Sequence, residues 1–167
     1  MRVLALTTSY PTPEAPVAGI FVREHVEAVR PHCDVTVVHL ERADVRRIEI
    51  ERDDEAWRVR YPRRPPAVRH LLAARRGLAL AGACDVVHAH FFLAGLPAVL
   101  FQRRPVVVSE HWSVFLPEDP ARLGFGGRLA ARVAFARAAL VLPVSPALQR
   151  AIEGHGLRAR FRIVPNV

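Results

Sequence analysis

The chain has 167 residues, of which 51% are hydrophobic, and a formal net charge of +8. That length holds a full-sized core, and that apolar content excludes a disordered chain. All 24 basic residues are Arg and they are scattered with few interleaved aromatics, which argues against nucleic acid and leaves genomic base composition or an anionic partner as the source of the charge.

Residues 2 to 7 read as a first strand followed by a loop, not as a signal peptide, because Thr7-Thr8-Ser9-Tyr10-Pro11 interrupts the apolar run at once. The loop carries Pro11, Pro13, Pro16 and Gly19. Ile20, Phe21, Val22, His25, Val26 and Val29 then recur at helical spacing until Pro31. A second strand is expected over 35–38. Residues 41 to 65 are dense in Arg, Glu and Asp, and two alternating runs, 47–51 and 57–61, predict a half-exposed hairpin or edge pair whose charge discourages stray pairing.

A helix follows near 67–81. Residues 85–90 form a short buried strand. Residues 93–101 form a helix with Pro97 best placed in its first turn. Residues 105–109 form another buried strand, and 116–125 are mostly loop. A helix is expected over 127–138 with Arg128, Arg132 and Arg137 outward, then a strand over 140–144. Ser145 caps the next helix and Pro146 opens it. Gly154 and Gly156 close that helix, and a last strand covers 161–164 before a Pro165-Asn166 turn. The weakly polar stretch 86–101 is too short and too interrupted to span a bilayer, so a cytoplasmic location is the default.

Short β-branched strands alternating with helices predict an α/β fold: a Rossmann-like parallel sheet with helices on both faces, plus the charged edge hairpin. In such a sheet ligands bind beyond the carboxyl ends of the strands. The loops after Thr8, His88, Glu110, Ser145 and Pro165 should therefore share one rim. Gly19, just before a helix, is placed to let a phosphate approach the helix N-terminus, or it is simply a turn glycine. The absence of a Gly-x-Gly-x-x-Gly run argues against a dinucleotide-binding dehydrogenase.

His88 and His90 point the same way because strand side chains alternate. His111 and Glu110 occupy the matching place after the next strand. Three histidines and a carboxylate on one rim suit a metal site, proton transfer, or hydrogen bonding to a hydroxylated substrate; His88, nearer the strand centre, also reads as a buried core histidine. His25, His39, His70 and His155 read as surface or packing residues. Cys33 and Cys84 read as small hydrophobes, not a disulfide.

Taken in order, Ser9-Tyr10-Pro11 with Gly19-Ile20-Phe21-Val22-Arg23-Glu24, Asp85 to His90, Ser109-Glu110-His111-Trp112, Ala139 to Ser145, and Ile163 to Val167 resemble the N-terminal domain of a family 4 glycosyltransferase of the GT-B fold. The resemblance spans nearly the whole chain. It implies that residues 1–167 are the acceptor-side half of a retaining enzyme, with a donor-binding domain absent from this chain. In similar proteins that domain grips a nucleotide-sugar, partly through a pair of glutamates. By resemblance Gly19 lies near the donor phosphates and His90 near the transferred sugar and the incoming hydroxyl, as the catalytic residue. His88, Glu110 and His111 line the substrate side. No metal or other cofactor is implied. The partners implied are a nucleotide-sugar, a hydroxylated acceptor and the chain's own C-terminal domain, with peripheral membrane contact as a further option. A metal-dependent hydrolase using His88, His90 and His111, and a non-enzymatic module docking on anionic membrane through its Arg residues, are the competing readings.

Overall fold

The computed structural model describes residues 1–119 and 123–166. The strands are β1 (Arg2–Thr7), β2 (Asp34–Ala43), β3 (Glu49–Arg52), β4 (Trp57–Pro62), β5 (Val86–His90), β6 (Val106–Glu110) and β7 (Leu140–Pro143). The helices are α1 (Ile20–Val29), α2 (Pro66–Leu80), α3 (Phe92–Phe101), α4 (Phe125–Arg137) and α5 (Pro146–Gly154). One sheet runs in the order β3-β4-β2-β1-β5-β6-β7. Every neighbouring pair is parallel except the β3–β4 hairpin. This is the α/β Rossmann-like sheet expected from the alternation of apolar strands and helices.

Right-handed crossovers decide which face each helix covers. The connection from β1 to β2 through α1 steps one way along the sheet, and those through α2, α3 and α4 step the other way. Alternation along β1 shows the result: Leu4 and Leu6 enter a large core with Ala73, Ala98 and Ala134 of α2, α3 and α4. Ala5, between them, enters a smaller core with Val22 and Val26 of α1. In register, Ala5 sits beside His88 and Thr7 beside His90. Both histidines therefore lie on the face that α1 covers.

Three local expectations change. First, the second strand runs on to Ala43, because β4 pairs with it from Val38 to Ala43. Of the hairpin, β3 lies at the sheet edge and is largely exposed, while β4 is mostly buried. Second, Pro97 sits inside α3, not in its first turn. A proline there leaves the carbonyl four residues earlier without its helical partner. His70 Nε2 lies 2.8 Å from that carbonyl, Leu93 O, and its Nδ1 lies 3.0 Å from the Tyr61 hydroxyl. The ring thus donates to Leu93 and accepts from Tyr61, replacing the lost helical bond. Third, residues 161–164 do not form a ladder strand. They run beside β7 through one bridge, Val141 to Phe161, and the bond from Val164 N to Pro143 O.

Ser145 caps α5, accepting from Leu148 N at 3.1 Å, with Pro146 in the first turn. Cys33 and Cys84 are both free. Residues 120–122 of the expected loop and Val167 of the final turn lie outside the described residues.

Candidate functional site

The site is built at the carboxyl ends of β1, β5 and β6. After β1 the chain loops back and enters α1 through Gly19, whose φ is 67°. A Cβ there would stand 2.5 Å from the Ser9 carbonyl, so both backbone conformation and space demand glycine. Its first structural role is therefore to let the start and end of this loop touch. The helix start that it opens lies on the same rim as the β5 tip. Phe21, two residues on, packs its ring 4.7 Å from His111 and 6.0 Å from Phe91.

Four imidazoles cluster beneath that rim. His88 and His90 stack with centroids 4.4 Å apart, and His90 stacks on His111 at 5.5 Å. His25 of α1 meets both strand histidines edge-on, at 5.1 and 5.5 Å. From the sequence His25 reads as surface or packing. The usable signal was its position in the apolar stripe with Val22, Val26 and Val29, which marks it as inward-facing. None of the other three set aside as surface or packing is idle either. His39 faces Arg58, His70 supports α3, and His155 Nε2 bonds the Phe115 carbonyl.

Burial within the cluster is the reverse of the expectation. His90, at the strand end, is 0% exposed, while His88, nearer the centre, is half-buried. The rings of His25 and His111 pack against His90, neighbours that strand position alone does not reveal. Burial, reinforced by mutual repulsion of the rings, holds all four neutral. His88 is pushed down to about 3 and His111 to about 4, His90 lies well below the usual histidine range, and His25 is lowered by burial. Neutral imidazoles make hydrogen bonds with defined donor and acceptor ends. His88 Nε2 pairs with Ser109 Oγ at 2.8 Å, and His90 Nδ1 with His111 Nε2 at 3.3 Å. His90 Nε2 is buried and has no partner among the described residues.

This geometry does not favour a metal. Stacked rings aim their in-plane lone pairs along near-parallel planes, not at a common point. Among the described residues no group of three His, Cys, Asp or Glu side chains is arranged to hold an ion.

Glu110 departs from its expected role on the substrate side. It is 0% exposed. Its Oε2 accepts from Phe92 N at 2.9 Å and its Oε1 from Trp112 N at 3.1 Å. Phe92 is the first residue of α3, and Phe91 before it adopts φ 70°, a left-handed value that costs a bulky residue about 1–3 kcal/mol. The carboxylate thus caps α3, satisfying an amide that a helix start leaves free, and holds a strained turn. It is turned inward because those amides, not solvent, supply its hydrogen bonds.

A cleft of about 880 Å3 is lined by Phe115, Leu123, Arg128, Arg150 and His155. None of the four clustered histidines lines it. No helix of the described residues is long and apolar enough to cross a membrane.

The sequence model of Glycosyltransferase Family 4 matches residues 18–167. A comparison with curated proteins gives no match. Among solved structures, sucrose-phosphate synthase of Thermosynechococcus elongatus aligns with a TM-score of 0.66 at 17% identity, covering 99% of this chain and 48% of that one. HepE of Anabaena in complex with UDP aligns at 0.67 and 18%, covering 99% and 44%. The catalytic domain of starch synthase IV of Arabidopsis thaliana, bound to ADP and acarbose, aligns at 0.61 and 13%, covering 99% and 51%. The chain spans about half the length of these three structures, and at such identities they speak to the fold.

Proposed function

The chain belongs to glycosyltransferase family 4, and from that premise we propose that it is the acceptor-side half of a retaining enzyme that moves a sugar from a nucleotide-sugar to a hydroxyl acceptor. The observation that carries this reading is the Nε2 of His90, buried and without a partner among the described residues, at the strand tip beside the helix start opened by Gly19. A buried acceptor without a donor costs free energy, and a sugar hydroxyl is the kind of donor that would recover it. A nucleoside diphosphate is the leaving group, in keeping with the UDP and ADP named for two structural neighbours. The positive end of the α1 dipole is suited to the phosphates.

Sugar transfer builds charge on the leaving phosphate and on the sugar ring. With its pKa far below neutrality, His90 serves better as an aligned hydrogen-bond acceptor than as a store for a proton. Alignment of acceptor and donor is worth about 7 kcal/mol or more in favourable cases, and closure of a second, donor-binding lobe would exclude water. Because Nε2 is closed to solvent in this chain, its engagement belongs to that donor-loaded state. His88 and His111 support His90 from either side. Glu110 acts behind them, as the cap that positions Phe91 and Trp112. The cytoplasmic location read from the sequence is part of the same proposal.

The test compares a protein carrying both lobes with residues 1–167 alone. The two-lobed protein is expected to transfer sugar with retained anomeric configuration, and the single lobe to give no turnover. His90→Ala in the two-lobed protein should lower kcat by about 10²–10⁴-fold while unfolding remains cooperative. Turnover by the isolated lobe sinks the half-enzyme reading, and a near-normal rate in His90→Ala removes His90 from the site.

One observation favours peripheral membrane contact as an accompanying property. Phe125 is 87% and Leu129 53% exposed, four residues apart on α4, with exposed Arg128 and Arg132 on the same stripe. Co-sedimentation with vesicles rich in anionic lipid is expected at low salt and should drop several-fold in Phe125→Ser/Leu129→Ser. No binding at low salt ends this reading and leaves the transferase proposal standing.

A further inference from the structure

Three polar groups run in file from the end of the described chain to the tip of β5. Asn166 Oδ1 lies 2.8 Å from His111 Nδ1, and His111 Nε2 lies 3.3 Å from His90 Nδ1. Both rings are held neutral by burial, so each carries one N–H and one bare lone pair. An amide oxygen can only accept. His111 must then bear its proton on Nδ1, which makes its Nε2 an acceptor. That Nε2 can be satisfied only by an N–H on His90 Nδ1. The remaining nitrogen, His90 Nε2, is left as a bare lone pair, and it is the atom that has no partner among the described residues.

Turning the Asn166 amide over would reverse every bond in the file and place an N–H on His90 Nε2. That would bury an unpaired donor, and orphaned buried donors are rarer than under-used acceptors. The other neighbours do not compete for this file. His88 is committed to Ser109 Oγ, and His25 meets His88 and His90 through its ring edge.

We propose that Asn166 is a positioning residue that, acting through His111, fixes His90 in the Nδ1–H tautomer and keeps its Nε2 an acceptor for a substrate hydroxyl. The hydroxyl part of this statement rests on the functional reading above, whereas the tautomer does not. Its consequence is a link between two parts of the molecule. A shift of the segment that carries Asn166 relative to β6 therefore resets the hydrogen-bonding sense of His90 Nε2.

The experiment is two-bond 1H–15N correlation of the chain labelled with 15N-histidine. His111 and His90 are both expected as Nδ1–H tautomers with an unprotonated Nε2. Asn166→Asp, which presents only acceptor oxygens, should keep that pattern. Asn166→Leu and His111→Phe, each checked for a folded spectrum, should shift His90 toward the Nε2–H form or a mixture. An Nε2–H tautomer of His90 in the unaltered chain overturns the proposal, and so does an unchanged His90 pattern in both Asn166→Leu and His111→Phe. Full turnover by His90→Ala in the two-lobed protein, with the tautomer pattern intact, would remove the sugar-facing role and leave the relay.

Discussion

Acidification from about pH 7 to about pH 5 is expected to remove most of the stability of this domain. Six histidines, at positions 25, 39, 70, 88, 90 and 111, are held neutral, mainly by burial. Their folded pKa values lie below the unfolded value, so the unfolded chain binds more protons once the pH falls beneath about 6.5. Their contribution to stability is complete above that point and drains away below it. A ring whose folded pKa is about 4, as for His39 and His111, contributes a loss of up to about 2 kcal/mol at pH 5. Several such rings together rival the whole stability of a typical domain, about 5–15 kcal/mol.

Urea unfolding followed between those two pH values should show the midpoint collapsing while the slope stays constant. His39→Asn tests the cause away from the candidate site, since His39 packs against Arg58 and Tyr10. It should flatten the pH dependence by up to about 2 kcal/mol. A midpoint that stays level down to pH 5 would mean that the rings take up protons without opening the fold.

The parallel sheet was legible because apolar strands such as 85–90 and 105–109 alternate with helices, and because parallel strands need both faces covered. The direction of His88 and His90 followed from strand alternation alone. What the chain concealed was who stands opposite them. The apolar stripe of α1 turns His25 inward, but which strand residues it meets depends on which face of the sheet α1 covers, and that is settled by crossover handedness. Pro97 shows the same limit from the other side. Its place inside α3 is tolerated because His70, far away in sequence, supplies the bond that Leu93 loses. Glu110 looked like a rim carboxylate because its sequence neighbours lie at the rim. Nothing in the sequence reveals that two amides behind it, Phe92 and Trp112, need an acceptor.

Glu110→Ala is accordingly expected to be among the most damaging single changes in the domain. It orphans the buried N–H of Phe92 and the part-buried N–H of Trp112, the first alone a loss of about 1–3 kcal/mol, and it releases the turn that holds Phe91 at φ 70°. The pH dependence of that loss decides what sets the charge of this carboxyl. Burial raises its pKa to about 7, against backbone hydrogen bonds from Trp112, Phe92 and His111 that lower it. With the folded pKa above the unfolded one, the native state holds the extra proton between about 4.5 and 7. The stability that Glu110 contributes is therefore largest below that window and declines as pH rises through it. The histidine effect runs the other way and is shared by the parent and the variant, so it cancels in the difference. The cost of Glu110→Ala should then be greater at pH 5.5 than at pH 8 by about 2 kcal/mol. A cost that is greater at pH 8 would show that the backbone amides, not burial, govern the carboxylate. A cost under about 1 kcal/mol at both values would remove Glu110 as the cap of α3.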